Sequence, residues 1–120
     1  MKKIEAFENA DRNQSLTEQH INATLYRAYK TAQEAGNDLP NFNEVIWDYD
    51  IDPILENCRA FGITEFTISS PFSSLIATLA EFEKRGCHMA GLTEVKARYS
   101  DWQTGEHAII PAIKMTVKEA

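Results

Sequence analysis

ITEFTISSPFSSLIATLAEFEKRGCHMAGLTEVKARYSDWQTGEHAIIPAIKMTV, residues 63–117, decides the fold. Near its start Phe66 and Ile68 point one way and Glu65 and Thr67 the other, the period of a half-buried strand. Ser70-Pro71 then opens a helix. Its apolar stripe is Phe72, Leu75, Ile76, Leu79 and Phe82, at steps of three and four, and Gly86 closes it. Alternation resumes, with Met89, Gly91, Thr93, Val95, Ala97 and Tyr99 on one face and His88, Glu94, Lys96 and Arg98 on the other. Thr104-Gly105 turns the chain. In the last strand Ile109, Ile113, Met115 and Val117 point inward, and Lys114 and Thr116 outward. Pro111 has no N–H to give a ladder, which places this strand at a sheet edge. The strand–helix–strand connection is expected to be parallel and right-handed, and the last two strands to form an antiparallel hairpin.

Upstream, Ser15-Leu16-Thr17-Glu18 reads as a capping box. Ile21, Leu25, Ala28, Tyr29 and Ala32 follow as one stripe up to Gly36, which predicts a helix over 16–35. Residues 1–14 are weakly patterned; Ile4 and Phe7 either form a short edge strand or lie over the core. Residues 37–50 wrap the surface and drop Phe42, Ile46 or Trp47 inward. Asp52-Pro53 then caps a short helix with Ile54, Leu55, Cys58 and Phe61 on its apolar face. The expected fold is α+β in a single domain over 1–120, in the order α-α-β-α-β-β, with helices on one face of a small mixed sheet.

Composition narrows the function. With 12 Lys and Arg against 18 Asp and Glu, the net charge is −6, which argues against a nucleic-acid binder or a basic membrane-surface protein. No apolar run is long enough to span a bilayer, and Met1-Lys2-Lys3-Ile4-Glu5 lacks the apolar stretch of a signal peptide, so a cytoplasmic location is expected. Cys58 and Cys87 then read as buried free thiols.

Five constellations could carry chemistry. Asp48-Tyr49-Asp50-Ile51-Asp52 resembles the opening of a calcium loop or of a phosphatase motif. A calcium loop needs Gly at its sixth position and Glu at its twelfth, where this chain has Pro53 and Arg59. The phosphatase pattern needs later motifs that a chain this short lacks. His20, His88 and His107 lie far apart, and no cysteine pair has zinc spacing, so no metal or cofactor is expected. Ser69, Ser70, Ser73 and Ser74 surround a helix start, where free N–H groups could meet an anion or nucleotide, although the glycines of a phosphate loop are missing.

The fourth constellation is charge. Thr31 through Cys58 contains no Lys or Arg, yet it holds Glu34, Asp38, Glu44, Asp48, Asp50, Asp52 and Glu56 interleaved with Phe42, Trp47 and Tyr49. Either this is a solvated loop whose aromatics are core, or it is a face suited to a basic protein surface. The fifth is Trp102 in a polar turn, which either tucks back or meets a partner.

Gly62 through Ser69, Gly91-Leu92-Thr93-Glu94-Val95, Asp101 through Glu106 and Trp47-Asp48-Tyr49 together resemble a group of short uncharacterised Firmicutes proteins, some of them from phages or other mobile elements. The group has no assigned activity. The resemblance implies a setting in which small acidic proteins inhibit host defence complexes, in the manner of anti-CRISPR proteins.

The expected function is therefore a non-enzymatic binding module. Its binding residues are Asp38, Glu44, Trp47, Asp48, Tyr49, Asp50, Asp52, Glu56 and Trp102. The alternatives are a small-ligand or nucleotide binder at Ser69–Ser74, and a homo-oligomeric structural protein using the hairpin.

Overall fold

The computed structural model describes residues 4–13, 20–70 and 73–118. Its elements run α1 (Glu5–Asn13), α2 (Ala23–Ala35), β1 (Asn41–Phe42), α3 (Asp48–Ala60), β2 (Glu65–Ile68), α4 (Leu75–Lys84), β3 (Cys87–Ser100) and β4 (His107–Val117). The architecture is α+β, and the strands form one mixed sheet in the order β1-β2-β4-β3. One core joins all four helices to the sheet. Phe7, Leu25, Tyr29, Ile51, Ile54, Leu55 and Phe82 meet Phe66, Ile68, Met115 and Val117 there. Aromatic edges lock it: Phe7 stands edge-on to Tyr29 at 4.7 Å and to Phe61 at 5.3 Å, and Phe66 bridges Phe42 and Phe82.

The N-terminal segment is therefore a helix that lies over the core through Phe7 and Ala10, and not an edge strand. The predicted capping box, Ser15-Leu16-Thr17-Glu18, lies outside the described residues. α2 begins only at Ala23, because Asn22 is extended and its side chain accepts the Leu25 N–H at 2.9 Å. Gly36 ends α2 as expected, at φ 85°. α3 begins at Asp48, five residues before Pro53, its predicted first helical residue, so that Pro53 lies inside it. Between them the sequence reading missed β1, whose Asn41 and Phe42 pair in parallel with Thr67 and Ile68.

β2 and β3 run in the same direction, but they are not neighbours. β4 inserts between them, antiparallel to both. The edge placement of β4 is thus corrected. Pro111 is tolerated because it lies beyond Ile113, the last β4 residue in this direction to pair with β2, where β4 has β3 alone as neighbour.

β3 also departs from simple alternation. Met89 pairs with Met115 and Gly91 with Lys114, so Ala90 is an extra residue, a β-bulge. The bulge exchanges the faces. Beyond it Leu92, Glu94 and Lys96 share the side of Ile113, Pro111 and Ile109. Val95 and Ala97 are buried on the opposite side. Ile109, expected inward, is 56% exposed, and Met89 and Tyr99 of β3 are 52% and 63% exposed. Ile76 of α4, also expected inward, is exposed as well.

Asn37 closes the structure beyond the bulge. Its side chain accepts the Lys96 N–H and donates to the Lys96 carbonyl, both at 2.8 Å, and so imitates a neighbouring strand at the β3 edge.

Candidate functional site

The carboxylates of the basic-free segment separate once α3 is formed. Asp48, Asp52 and Glu56 lie four residues apart, so they line one outward face of the helix. Trp47 caps that helix without a side-chain capping bond and is 60% exposed; Tyr49 is 79% exposed. Of the apolar residues offered to the core from this segment, Phe42 and Ile46 enter it and Trp47 does not. The face therefore carries two bare aromatics among acids. Asp48 and Glu56 pair with no cation among the described residues, whereas Asp52 accepts Arg85 Nε at 2.7 Å.

Asp50 does not belong to this face. It turns toward α2, where it accepts Asn22 Nδ2 at 2.7 Å and, through its other oxygen, the Thr24 hydroxyl. Asn57, two helical turns further along α3, accepts the Asn22 N–H at 2.6 Å and donates to the His20 carbonyl. The two side chains hold the start of α2, where free N–H groups favour a negative charge. Asp50 is thus engaged within the fold, between α3 and α2, and is not part of the outward face. The reason is helical geometry: residues two apart point to different sides.

Glu44 stays near the acidic face but is met by Arg27 at 3.5 Å, an exposed pair. Arg59 takes no part, because it donates to the carbonyls of Arg85 and Lys118. Asp38 is exposed in the connection after α2, apart from the α3 face, and lines two clefts. Trp102 stands 89% exposed at the tip of the β3–β4 hairpin, in a separate place again. Arg85 is a residue that sequence reasoning missed. It joins Asp52 on α3 to Glu81 on α4 at 2.7 Å each, and its bond, helped by Lys84, holds the Glu81 carboxyl below the usual range. The sequence separation of 33 between Asp52 and Arg85 left no local signal for it.

The serine cluster is largely used internally. α4 starts at Leu75, later than the predicted Pro71, with Ser74 as its cap and no side-chain capping bond. Ser70 is buried and donates to the Glu44 carbonyl at 2.7 Å, with that of Phe42 at 3.1 Å. Ser69 accepts from Asn41, whose oxygen accepts the Thr67 hydroxyl at 2.7 Å; this chain satisfies the buried Asn41 and Thr67. Ser73 and Ser74 are exposed, and the hollow beside Ser70 and Ser74 holds about 10 Å³, room for about one water. A larger cleft of about 530 Å³ lies between Gly36–Leu39 and the hairpin, over Thr67, Val95 and Lys114. Lys114 is paired there with Glu65 at 2.9 Å.

Cys58 and Cys87 are buried free thiols. Burial pushes the Cys58 thiol up to about 12 and raises Cys87 as well, the opposite of an activated nucleophile. Among the described residues no three His, Cys, Asp or Glu side chains converge as a metal site, and no helix is long and apolar enough to cross a membrane.

No curated protein and no solved structure matches the chain. One family model does, over residues 24–117, from the second residue of α2 to the last of β4. That span holds the whole sheet, the acidic face of α3 and the hairpin, and the chain belongs to the family described as a domain of unknown function, DUF7698.

Proposed function

We propose that the protein is a non-enzymatic binding module that presents the outer face of α3 to a basic protein surface. The observation that carries this reading is the exposure of Trp47 and Tyr49 beside Asp48 and Glu56, two carboxylates with no cation partner among the described residues. Exposed aromatics supply contact area at low entropic cost, and unpaired carboxylates steer a cationic partner and fix its register. Asp52 joins them by exchanging Arg85 for a cation of the partner. In the setting that the sequence resemblance implies, the partner is a host nucleic-acid-binding defence complex. The protein then acts in the cytoplasm as a mobile-element inhibitor, occupying a groove built for phosphates.

The test uses the chain as bait in a host lysate, beside an Asp48→Lys/Glu56→Lys variant and a Trp47→Ala variant. Basic proteins retained by the parent alone, and released near 0.5 M salt where the Debye length has fallen to a few ångström, are the expected result. Retention that ignores both the substitutions and the salt overturns the reading.

A second reading rests on the cleft of about 530 Å³, a volume within the range of small-molecule sites. It makes the protein a small-ligand or nucleotide sequestering domain. A thermal-shift panel of nucleotides tests it, since a ligand that binds only the folded state raises the melting temperature.

A further inference from the structure

The β3–β4 hairpin extends beyond β2, and one face of the extension is exposed; its Glu94, Lys96 and Ile109 also line the rim of the cleft beside Gly36–Leu39. Cross-strand pairing puts Leu92 with Ile113, Glu94 with Pro111 and Lys96 with Ile109 on that face. Leu92 is 83% exposed and Ile109 56%. A shallow depression of about 450 Å³ runs among Leu92, Glu94, Ile109 and Pro111. Neither Glu94 nor Lys96 has an ion-pair partner among the described residues; the Lys96 ammonium lies beside Gly36, at the C-terminal end of α2.

We infer that this face is a contact between two copies of the chain, packed sheet face on sheet face about a two-fold axis. The argument is self-complementarity. A two-fold contact needs a surface that matches itself, with residue i meeting j and j meeting i. Let the axis lie in the plane between the copies and cross the strands at Val95 and Ile110, which are paired in the hairpin. Glu94 then faces Lys96 of the second copy, and Lys96 faces its Glu94. The same axis places Pro111 over Ile109 of the second copy, and the reverse. One axis thus matches opposite charges on β3 and apolar surface on β4 together. A foreign partner would have no reason to share that symmetry.

Pairing at the β3 edge is the competing arrangement, and the structure opposes it. Asn37 already occupies the N–H and carbonyl of Lys96, and the bulge at Ala90 kinks the edge further along. The patch is small. Five residues of strand and two strand widths cover roughly 17 by 10 Å, about 170 Å² a copy, against about 800 Å² a copy in a standard interface. The association is therefore weak, and the acidic face of α3 remains free in it.

Sedimentation equilibrium tests this between about 10 µM and 1 mM, a range suited to an interface below standard size. The expected mass rises from one chain of 13.6 kDa toward two. Glu94→Lys alone sets Lys against Lys, and Lys96→Glu alone sets Glu against Glu. Each weakens association at least tenfold. An equimolar mixture of the two variants pairs opposite charges at both positions and restores it. A single-chain mass throughout overturns the inference. So does association that is indifferent to the substitutions, or a mixture no stronger than its components. Because the α3 face takes no part, these outcomes are independent of retention of a basic partner.

Discussion

Replacing Asp50 by Ala separates a structural carboxylate from its neighbours on the same helix. The variant removes two bonds to an ionised acceptor, one from Asn22 and one from the Thr24 hydroxyl, at the start of α2. Hydrogen bonds to charged groups contribute about 1.5–3 kcal/mol each. The site is half-buried, so the freed donors recover part of this from water, and the expected loss is about 2 kcal/mol in all. With a urea slope of about 1.5 kcal/mol/M for a domain of this size, the midpoint falls by roughly 1.3 M. Asp50→Asn keeps one acceptor oxygen and is expected to lose about half as much. Asp48→Ala, two residues earlier on the outward face, leaves the midpoint where it was. A double-mutant cycle with Thr24→Val should give a coupling of about 1 kcal/mol. The reasoning fails if Asp50→Ala and Asp48→Ala unfold at the same urea concentration, or if the cycle shows no coupling.

Other outcomes follow from the same geometry. Asn37→Ala removes both bonds to the Lys96 backbone, so the Lys96 amide should exchange with solvent at least tenfold faster while amides of β2 keep their protection. Gly91 sits at φ 115° with open space where a Cβ would go, so Gly91→Ala should destabilise by about 1–2 kcal/mol through backbone strain alone, read by urea unfolding. Cys58 stays neutral in the fold up to about 12, against an ordinary value of 9.0; its contribution to stability is complete below pH 9 and is lost as pH rises toward 12. The melting temperature should accordingly drop across that alkaline window, and a thiol reagent at pH 8 should label the chain only when denaturant is present.

Much of the fold was legible locally. The two-residue alternation of β2 and the apolar steps of α2 and α4 are direct consequences of strand and helix geometry. The ends of α2 and α4 near Gly36 and Gly86 follow from the freedom of glycine at positive φ. The boundaries at α2 and α3 were less legible. Asn22 supplanted the capping box as the start of α2, and it is held in place by Asp50 and Asn57 from another helix. The bulge at Ala90 left no mark in the alternation of β3, because an inserted residue shows only against the register of its partner strand.

What the sequence determined by itself was the α+β class, the acidic balance and the clustering of carboxylates with aromatics between Thr31 and Cys58. Only the tertiary structure decided which of those carboxylates face outward unpaired. The cations and donors that claim Glu44, Asp50 and Asp52 are Arg27, Thr24 and Arg85, and they lie on other elements. Tertiary structure likewise put β4 in the middle of the sheet and left Trp47 outside the core. Periodicity reports what a residue's near neighbours along the chain impose on it. Charge pairing and burial depend on distances in space, which exist only once the helices have packed.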